Sequence, residues 1–412
     1  MNKFGVQYSN ENLEKRNFLE NEDRQSDVEG IKKTLRKFQQ GYSERNVEKI
    51  DSFMKELFID KQEISILGTG SKELMLGMDE VKDLIEGDWE YWGDVKIDYE
   101  NANISILGEV AWISTNGSVK HVFEDTKERY DNYVNFIKEK AEESELTPKQ
   151  RIANINWVLA LTYHQRPQGK REYLWPLSLS GILLKDKETW KFAHMQFSIP
   201  KSNFPDERFE SSEECADNYN EQKNIVNEYK YNQITPKIKT FLKDFEGEIL
   251  GSEAPNKEAL EKYFSNIEIP CIIGPESQWY YGNEEISRFF TESNPLNINL
   301  DIDHAIAHKA GGVTWVIANG VLSQRISEDE LIKRVLDETE ELIASNLTSE
   351  EKLFAIKRSV SYALKESSIG SNYTCPIRMT AVILDTKEGV AFNNIHWSFP
   401  FCWIFEGKLD SV

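Results

Sequence analysis

Two short stretches of this sequence set proton-transferring side chains at alternate positions. In Trp190-Lys191-Phe192-Ala193-His194-Met195-Gln196-Phe197-Ser198, the residues His194, Gln196 and Ser198 stand two apart. In Val390-Ala391-Phe392-Asn393-Asn394-Ile395-His396-Trp397-Ser398 the same positions hold Asn394, His396 and Ser398. Side chains two apart on a strand share a face. Each stretch therefore has a polar row backed by an apolar one, Met195, Phe197 and Ile199 in the first and Ile395, Trp397 and Phe399 in the second. Histidine titrates near neutrality, so a row aimed into a pocket can act as acid, base or hydrogen-bond donor. The same pattern arises if the apolar row faces helices and the polar row packs against another domain.

Aromatic residues are the second signal. Trp89, Trp92, Trp112, Tyr173 and Trp175 fall in one half of the chain, and Trp279, Tyr280, Tyr281, Trp315 and Tyr373 in the other. Their faces suit a flat or apolar ligand, although Trp112 and Trp315, in mid-strand, equally fill a core. Trp89 and Trp92 are expected in a loop, at a pocket or interface. The candidate pocket set is Trp89, Trp92, Trp112, Tyr173, His194, Gln196, Tyr281, Trp315, Tyr373 and His396.

Other motifs carry less. Asp301-Ile302-Asp303-His304 with His308 has ligand-like residue types. On a strand, however, its two histidines would stand about 13 Å apart at roughly 3.3 Å per residue, so no metal and no cofactor are expected. Gly68-Thr69-Gly70-Ser71 lacks the Gly-Lys-Ser/Thr ending of a phosphate loop. Cys215, Cys271, Cys375 and Cys402 form no Cys-x-x-Cys pair and read as buried, reduced thiols.

The elements that must position these groups occur twice. Besides the two polar rows, Tyr173 and Pro176 match Tyr373 and Pro376, all at an offset of about 200 residues. Ala111-Trp112-Ile113 with Asn116-Gly117 matches Thr314-Trp315-Val316 with Asn319-Gly320, and Gly77 before one helix matches Gly282 before another. Each copy opens with an amphipathic helix, carrying Ile31, Leu35, Phe38 and Tyr42 in the first and Leu242 and Phe245 in the second. A second helix (47–57), a strand (63–67), a third helix (79–85) and strands over 95–107, 110–122, 176–184 and 190–198 follow in the first copy. Helices first and then an antiparallel meander make an α+β pattern. Capping boxes at Thr147–Gln150 and Ser327–Glu330, and a third start at Thr348, mark a helical hairpin inserted in each meander. The apolar stripes Ile152, Ile155, Val158, Leu159 and Leu353, Ile356, Val360, Leu364 are its expected packing faces.

The chain has 412 residues, with 49 Lys plus Arg against 70 Asp plus Glu, a net charge of −21. That charge repels phosphate backbones and anionic lipid, so neither nucleic acid nor membrane is an expected partner. No run reaches the roughly 18 apolar residues that span a bilayer, and the first residues do not read as a signal peptide. A cytoplasmic protein is expected.

Each copy resembles a SnoaL-like domain of the nuclear transport factor 2-like superfamily. The residues carrying the resemblance are Ile66-Leu67-Gly68-Thr69-Gly70, Gly77, Val110-Ala111-Trp112-Ile113 and Trp190 through Ser198. The last strand of that family often reads Trp-x-x-x-His-x-His-x-Ser. Here Gln196 replaces the second histidine in one copy and Asn394 the first in the other, and Gly274-Pro275-Glu276 stands in place of Gly-Thr-Gly. The resemblance implies two cone-shaped, curved antiparallel sheets wrapped around helices, able to pair through their sheets as an intrachain pseudo-dimer. The implied organisation is a polar segment 1–29, a domain 30–209 with its insertion at about 124–168, a linker 210–231, and a domain 232–412 with its insertion at about 327–368. The family includes isomerases, cyclases, dehydratases and non-enzymes, so the fold assigns no reaction. The copies agree at Trp, Gly and Pro and differ at ionisable positions. A non-catalytic role is therefore expected, binding a small apolar or aromatic ligand or acting as a scaffold. The alternative is an isomerase, cyclase or hydratase with His194 as acid/base, assisted by Asp79 or Tyr173; a third reading is an interaction module.

Overall fold

The structure, a computed structural model, describes residues 22–124, 127–162, 170–200, 213–252, 255, 257–265, 267–292 and 297–400. The first half begins with a helix Glu22–Glu44, longer than the expected one, followed by a short helix Ile50–Leu57. Strands β1 (Ser65–Leu67) and β2 (Leu74–Leu76) come next, then a helix Met78–Tyr91. Strands β3 (Asp94–Ile97), β4 (Asn103–Leu107), β5 (Val110–Glu124), β6 (Lys170–Asp186) and β7 (Thr189–Ser198) complete it. The second half repeats the set as β8 (Cys271–Ile273), β9 (Trp279–Tyr281), β10 (Asn297–Leu300), β11 (Ile306–Ala310), β12 (Val313–Arg325), β13 (Asn372–Asp385) and β14 (Val390–Ser398). Its helices Pro236–Phe245, Lys257–Tyr263 and Gly282–Glu292 take the places of the first three.

The two sheets have one topology. The first runs β2-β1-β7-β6-β5-β3 with β4 also on β5, and the second runs β9-β8-β14-β13-β12-β10 with β11 on β12. Pairing is antiparallel except that β1 lies parallel to β7, and β8 to β14. The sheets are therefore mixed, not wholly antiparallel as expected. The expected strand over 95–107 is broken into β3 and β4, which lie end to end along β5.

Each sheet wraps one face around helices. Phe38 meets Phe192 at 5.6 Å and Phe197 at 6.1 Å between ring centroids. In the second half Phe245 meets Phe392 at 4.8 Å. Strict alternation would put Phe192 on the face of His194. A bulge corrects this: Ile182 pairs with His194 but Leu183 with Phe192, so Ala193 is the extra residue and the alternation resets. Asn393 is the corresponding extra residue between Phe392 and Asn394. One apolar cluster runs through both halves, from Ile31 to Phe399.

The stretch expected as a linker contains a helix, Glu213–Glu228, that touches both halves. Asn218 donates to the Ser71 hydroxyl at 2.7 Å and Gln222 to the Ser71 carbonyl. Gln222 also accepts from Asn319 at 2.9 Å. The insertions are helical hairpins, Lys127–Glu142 with Pro148–Thr162 and Glu328–Ala344 with Ser349–Ile369. Both capping boxes form: Thr147 and Gln150 bond reciprocally, as do Ser327 and Glu330. Pro148–Thr162 and Ser349–Ile369 pack on each other, with Trp157 edge-on to Tyr362 at 5.8 Å. Among the described residues no helix is long and apolar enough to cross a membrane.

Candidate functional site

The polar rows of β7 and β14 meet each other across the gap between the two sheets. His194 is fully buried, with Nδ1 2.8 Å from the hydroxyl of its neighbour Ser65 and Nε2 2.9 Å from the Thr380 hydroxyl of the opposing sheet. His396 repeats the arrangement, with Nδ1 2.8 Å from Ser180 and Nε2 2.7 Å from Ser198, both in the first half. Gln196, in the place that His396 takes in the other copy, donates to Ser398 at 2.8 Å. Burial drives the pKa of both rings down to about 3, so each is a neutral imidazole serving one donor and one acceptor. This corrects the pocket placement of His194, Gln196 and His396. They form a polar seam with both ring nitrogens engaged and no face left for a substrate.

Several other residues of the expected pocket also serve this seam or the core. Trp112 donates from Nε1 to Asn393, the bulge residue of the opposite sheet, at 2.7 Å. At the equivalent place in the first half Ala193 offers no acceptor, and the Trp315 indole N–H is without a partner. Trp315 lies 5.7 Å from the ring of His308. Trp89 is not in a loop: the helix Met78–Tyr91 continues past it, and it is buried between Tyr42 and Phe53. Tyr373 packs with Leu331 and Val335 at the foot of the second insertion. Tyr281 stacks on Trp279 at 6.1 Å. Tyr173 pairs with His121 along β6, and its side chain lies outside the described residues. Asp79 is exposed in the first turn of its helix.

The Gly68–Ser71 turn is held by a residue that sequence reasoning missed. Arg378, fully buried on β13, donates to the carbonyls of Gly68 at 3.3 Å, Gly70 at 2.9 Å and Ser71 at 2.6 Å. Burial lowers its pKa to about 10, with Glu73 nearby opposing the shift. The equivalent Ser178 reaches Ser277, in the matching turn of the second half, at 3.2 Å. His304 bonds Asp301 at 2.7 Å, and His308, held neutral by burial at a pKa of about 4, lies 3.4 Å from the Tyr229 hydroxyl. Cys271 and Cys375 are free and buried, and burial pushes the Cys271 thiol up to about 12. The Cys215 side chain and Cys402 lie outside the described residues.

An open cleft of about 260 Å³ does exist, in the first half between its helices and the edge of its sheet. Of the expected pocket residues only Trp92 lines it. The walls are apolar, with Leu84, Leu177 and Phe197, and Trp92 is braced by stacking on Trp175 at 5.8 Å. The charged groups are acidic: Glu73, Asp83 and Asp88 line it, and among the described residues no Lys, Arg or His does. Tyr42 donates to Asp88 at 2.7 Å, and burial with that carboxylate holds its hydroxyl protonated. Glu73 accepts from the Gly70 N–H at 2.6 Å. Two arginines stand behind the lining, Arg45 interacting with Asp88 and Asp94 and Arg378 with Glu73. In the second half Gln278 occupies the position of Glu73, and Phe245, Phe289 and Phe290 pack the interior.

Comparison with known proteins gives a likeness over part of the chain. The profile of the SnoaL-like domain family matches residues 31–136. No curated protein matches. Among solved structures, a nuclear transport factor 2-like superfamily protein from Salmonella enterica serovar Typhimurium is 12% identical, with a TM-score of 0.27 over 42% of this chain and 90% of that one. A putative dehydratase of the same family from Streptomyces avermitilis is 11% identical, with a TM-score of 0.26 over 40% of this chain and 95% of that one. A putative scytalone dehydratase from Novosphingobium aromaticivorans is 10% identical, with a TM-score of 0.26 over 42% of this chain and 83% of that one. The chain is thus an α+β protein of two like-wound sheets whose first half is similar, over residues 31–136, to a SnoaL-like domain.

Proposed function

We propose that the chain is a non-catalytic small-molecule-binding protein built from two SnoaL-like copies paired through their sheets, in which only the first copy keeps a binding cleft. One observation carries this reading: the first half has an open cleft lined by aromatic side chains and carboxylates, whereas the equivalent positions of the second half hold Gln278 for Glu73, Arg288 for Asp83 and Phe289 for Leu84. The lining also specifies the ligand class. Three carboxylates without a lining cation repel anions, and Trp92 and Tyr91 offer aromatic faces. Together these suit a small organic cation with a flat or apolar body, such as an arylalkylamine. The net charge of −21 adds a field that concentrates cations near the cleft. The enzymatic alternative rests on His194, and a ring bonded at both nitrogens between two sheets supports no proton transfer to a ligand.

The test compares phenethylamine with neutral 2-phenylethanol and anionic 3-phenylpropionate, following thermal midpoint and tryptophan fluorescence. A ligand bound only by the native state raises the midpoint. The amine is expected to bind best, and Asp88→Asn, which leaves Tyr42 an acceptor, to weaken it by about tenfold, or about 1.4 kcal/mol. The reading fails if none of the three probes shifts the midpoint at millimolar concentration, or if the carboxylate binds best.

A further inference from the structure

The inserted helices expose apolar side chains that sequence periodicity assigns to a buried face. Fifteen large apolar side chains stand exposed among the described residues, and nine of them lie on these four helices. Ile152, Leu353 and Val134 are 70%, 66% and 64% exposed. The spacing is regular. Ile332, Leu336 and Ile343 follow one another at four and seven residues, Leu353, Val360 and Leu364 at seven and four, and Ile152 and Leu159 at seven. Steps of four and seven place side chains in one stripe along a helix, the seam that packs against another helix. Other side chains make the packing contacts, among them Leu331, Val335 and Ala363 within the second hairpin and Trp157 of the first against Tyr362 of the second.

We propose that this face docks a second copy of the chain, helical layer on helical layer about a two-fold axis. Three observations select that occupant. Stripes at heptad spacing are complementary to helices carrying the same spacing, and a second copy supplies them. The charges are arranged for such a pairing. Helix Glu328–Ala344 carries seven acidic and two basic residues, while Pro148–Thr162 and Ser349–Ile369 together carry five basic and two acidic ones besides the buried Lys365 and Glu366. A two-fold apposition can set the acidic helix of each copy over the basic pair of the other. The exposed area of the nine residues, summed over the four helices, is on the order of 900 Å², against the roughly 800 Å² per partner of a stable complex. An anionic lipid surface is opposed by the net charge of −21.

Sedimentation equilibrium of the full chain between about 1 and 100 µM at 0.15 M salt is expected to show a monomer–dimer equilibrium. The double variant Leu336→Glu/Leu353→Glu changes only exposed positions. It is expected to weaken dimerisation by at least about 100-fold, since two central apolar contacts become charged. Circular dichroism is expected to be unaltered. Hydrogen exchange on the unaltered protein gives a second readout that needs no variant: residues 328–369 should lose protection on dilution, while β5 and β12 keep theirs. A native chain that stays monomeric at 100 µM overturns the proposal. So does a dimer indifferent to both substitutions, dilution without change at 328–369, or a monomer that binds phosphatidylcholine vesicles through this face.

Discussion

The histidines of the seam are structural because of where their protons cannot go. A fully buried imidazolium between two sheets would need a counter-charge, and His194 and His396 meet only hydroxyls. Burial lowers the pKa of both to about 3 and of His308 to about 4, below the ordinary 6.5. The folded form therefore resists protonation while the unfolded chain accepts it. Stability is at full value above pH 6.5 and drains as pH falls towards the folded pKa. At pH 5 each ring costs about 2 kcal/mol relative to neutral pH. His396→Gln is the informative variant, since Gln196 already makes the equivalent bond to Ser398 in the other copy. Urea unfolding as a function of pH should show the variant losing less stability than the parent below pH 6.5, with a gap of about 2 kcal/mol at pH 5. Parallel profiles for the two proteins would remove the neutral, buried imidazole from the account.

At the level of elements, a pair of glycines explains why the repeat conserves Asn-Gly. Gly117 on β5 and Gly320 on β12 sit where a short edge strand crosses, opposite Ile97 and Leu300. A Cβ at Gly320 would stand 2.6 Å from the Asn299 carbonyl oxygen, and one at Gly117 would stand 2.4 Å from that of Lys96. Both acceptors are backbone atoms, so relief requires the strand to shift. Gly320→Ala should lower stability by about 1–3 kcal/mol and expose β10 to hydrogen exchange. Gly87→Ala, mid-helix with nothing within 4 Å of the added carbon, should instead raise stability by about 0.5–1 kcal/mol. Equal effects at the two positions would refute the steric reading. The repeat, the element order and both hairpin insertions were legible in the sequence because each depends on local periodicity, capping residues or glycine. The polar alternation in Trp190–Ser198 was legible too, but its direction was not. Whether His194 faces a cavity or a second sheet is decided by residues such as Ser65 and Thr380, far away in sequence. The bulges at Ala193 and Asn393 leave no mark in residue type. The cleft was missed, Trp92 apart, because its carboxylates come from a turn and a helix that look like ordinary solvated surface.

For the molecule as a whole, the two halves are joined at three levels. The apolar cluster is continuous from Ile31 to Phe399. The polar seam bonds His194, Ser198 and Gln196 of one sheet to Thr380, His396 and Ser398 of the other. Helix Glu213–Glu228 is anchored on Ser71 in one half and Asn319 in the other. A sheet separated from its partner would expose to water apolar surface that the shared cluster now buries, at a cost of about 25 cal/mol per Å². Partial unfolding of one half is thus disfavoured, and calorimetry at neutral pH should record a single transition with van't Hoff and calorimetric enthalpies in agreement. Gln196→Glu sharpens the test by placing a carboxylate where Ser398 and the His396 carbonyl now accept hydrogen bonds from the amide. An uncompensated buried charge costs about 3–5 kcal/mol, so the single transition should move several degrees lower without splitting. Independent domains would behave differently. The first half would melt early, the second would keep its own midpoint, and the trace would resolve into two peaks, which would return the molecule to two tethered domains in place of one interlocked pair.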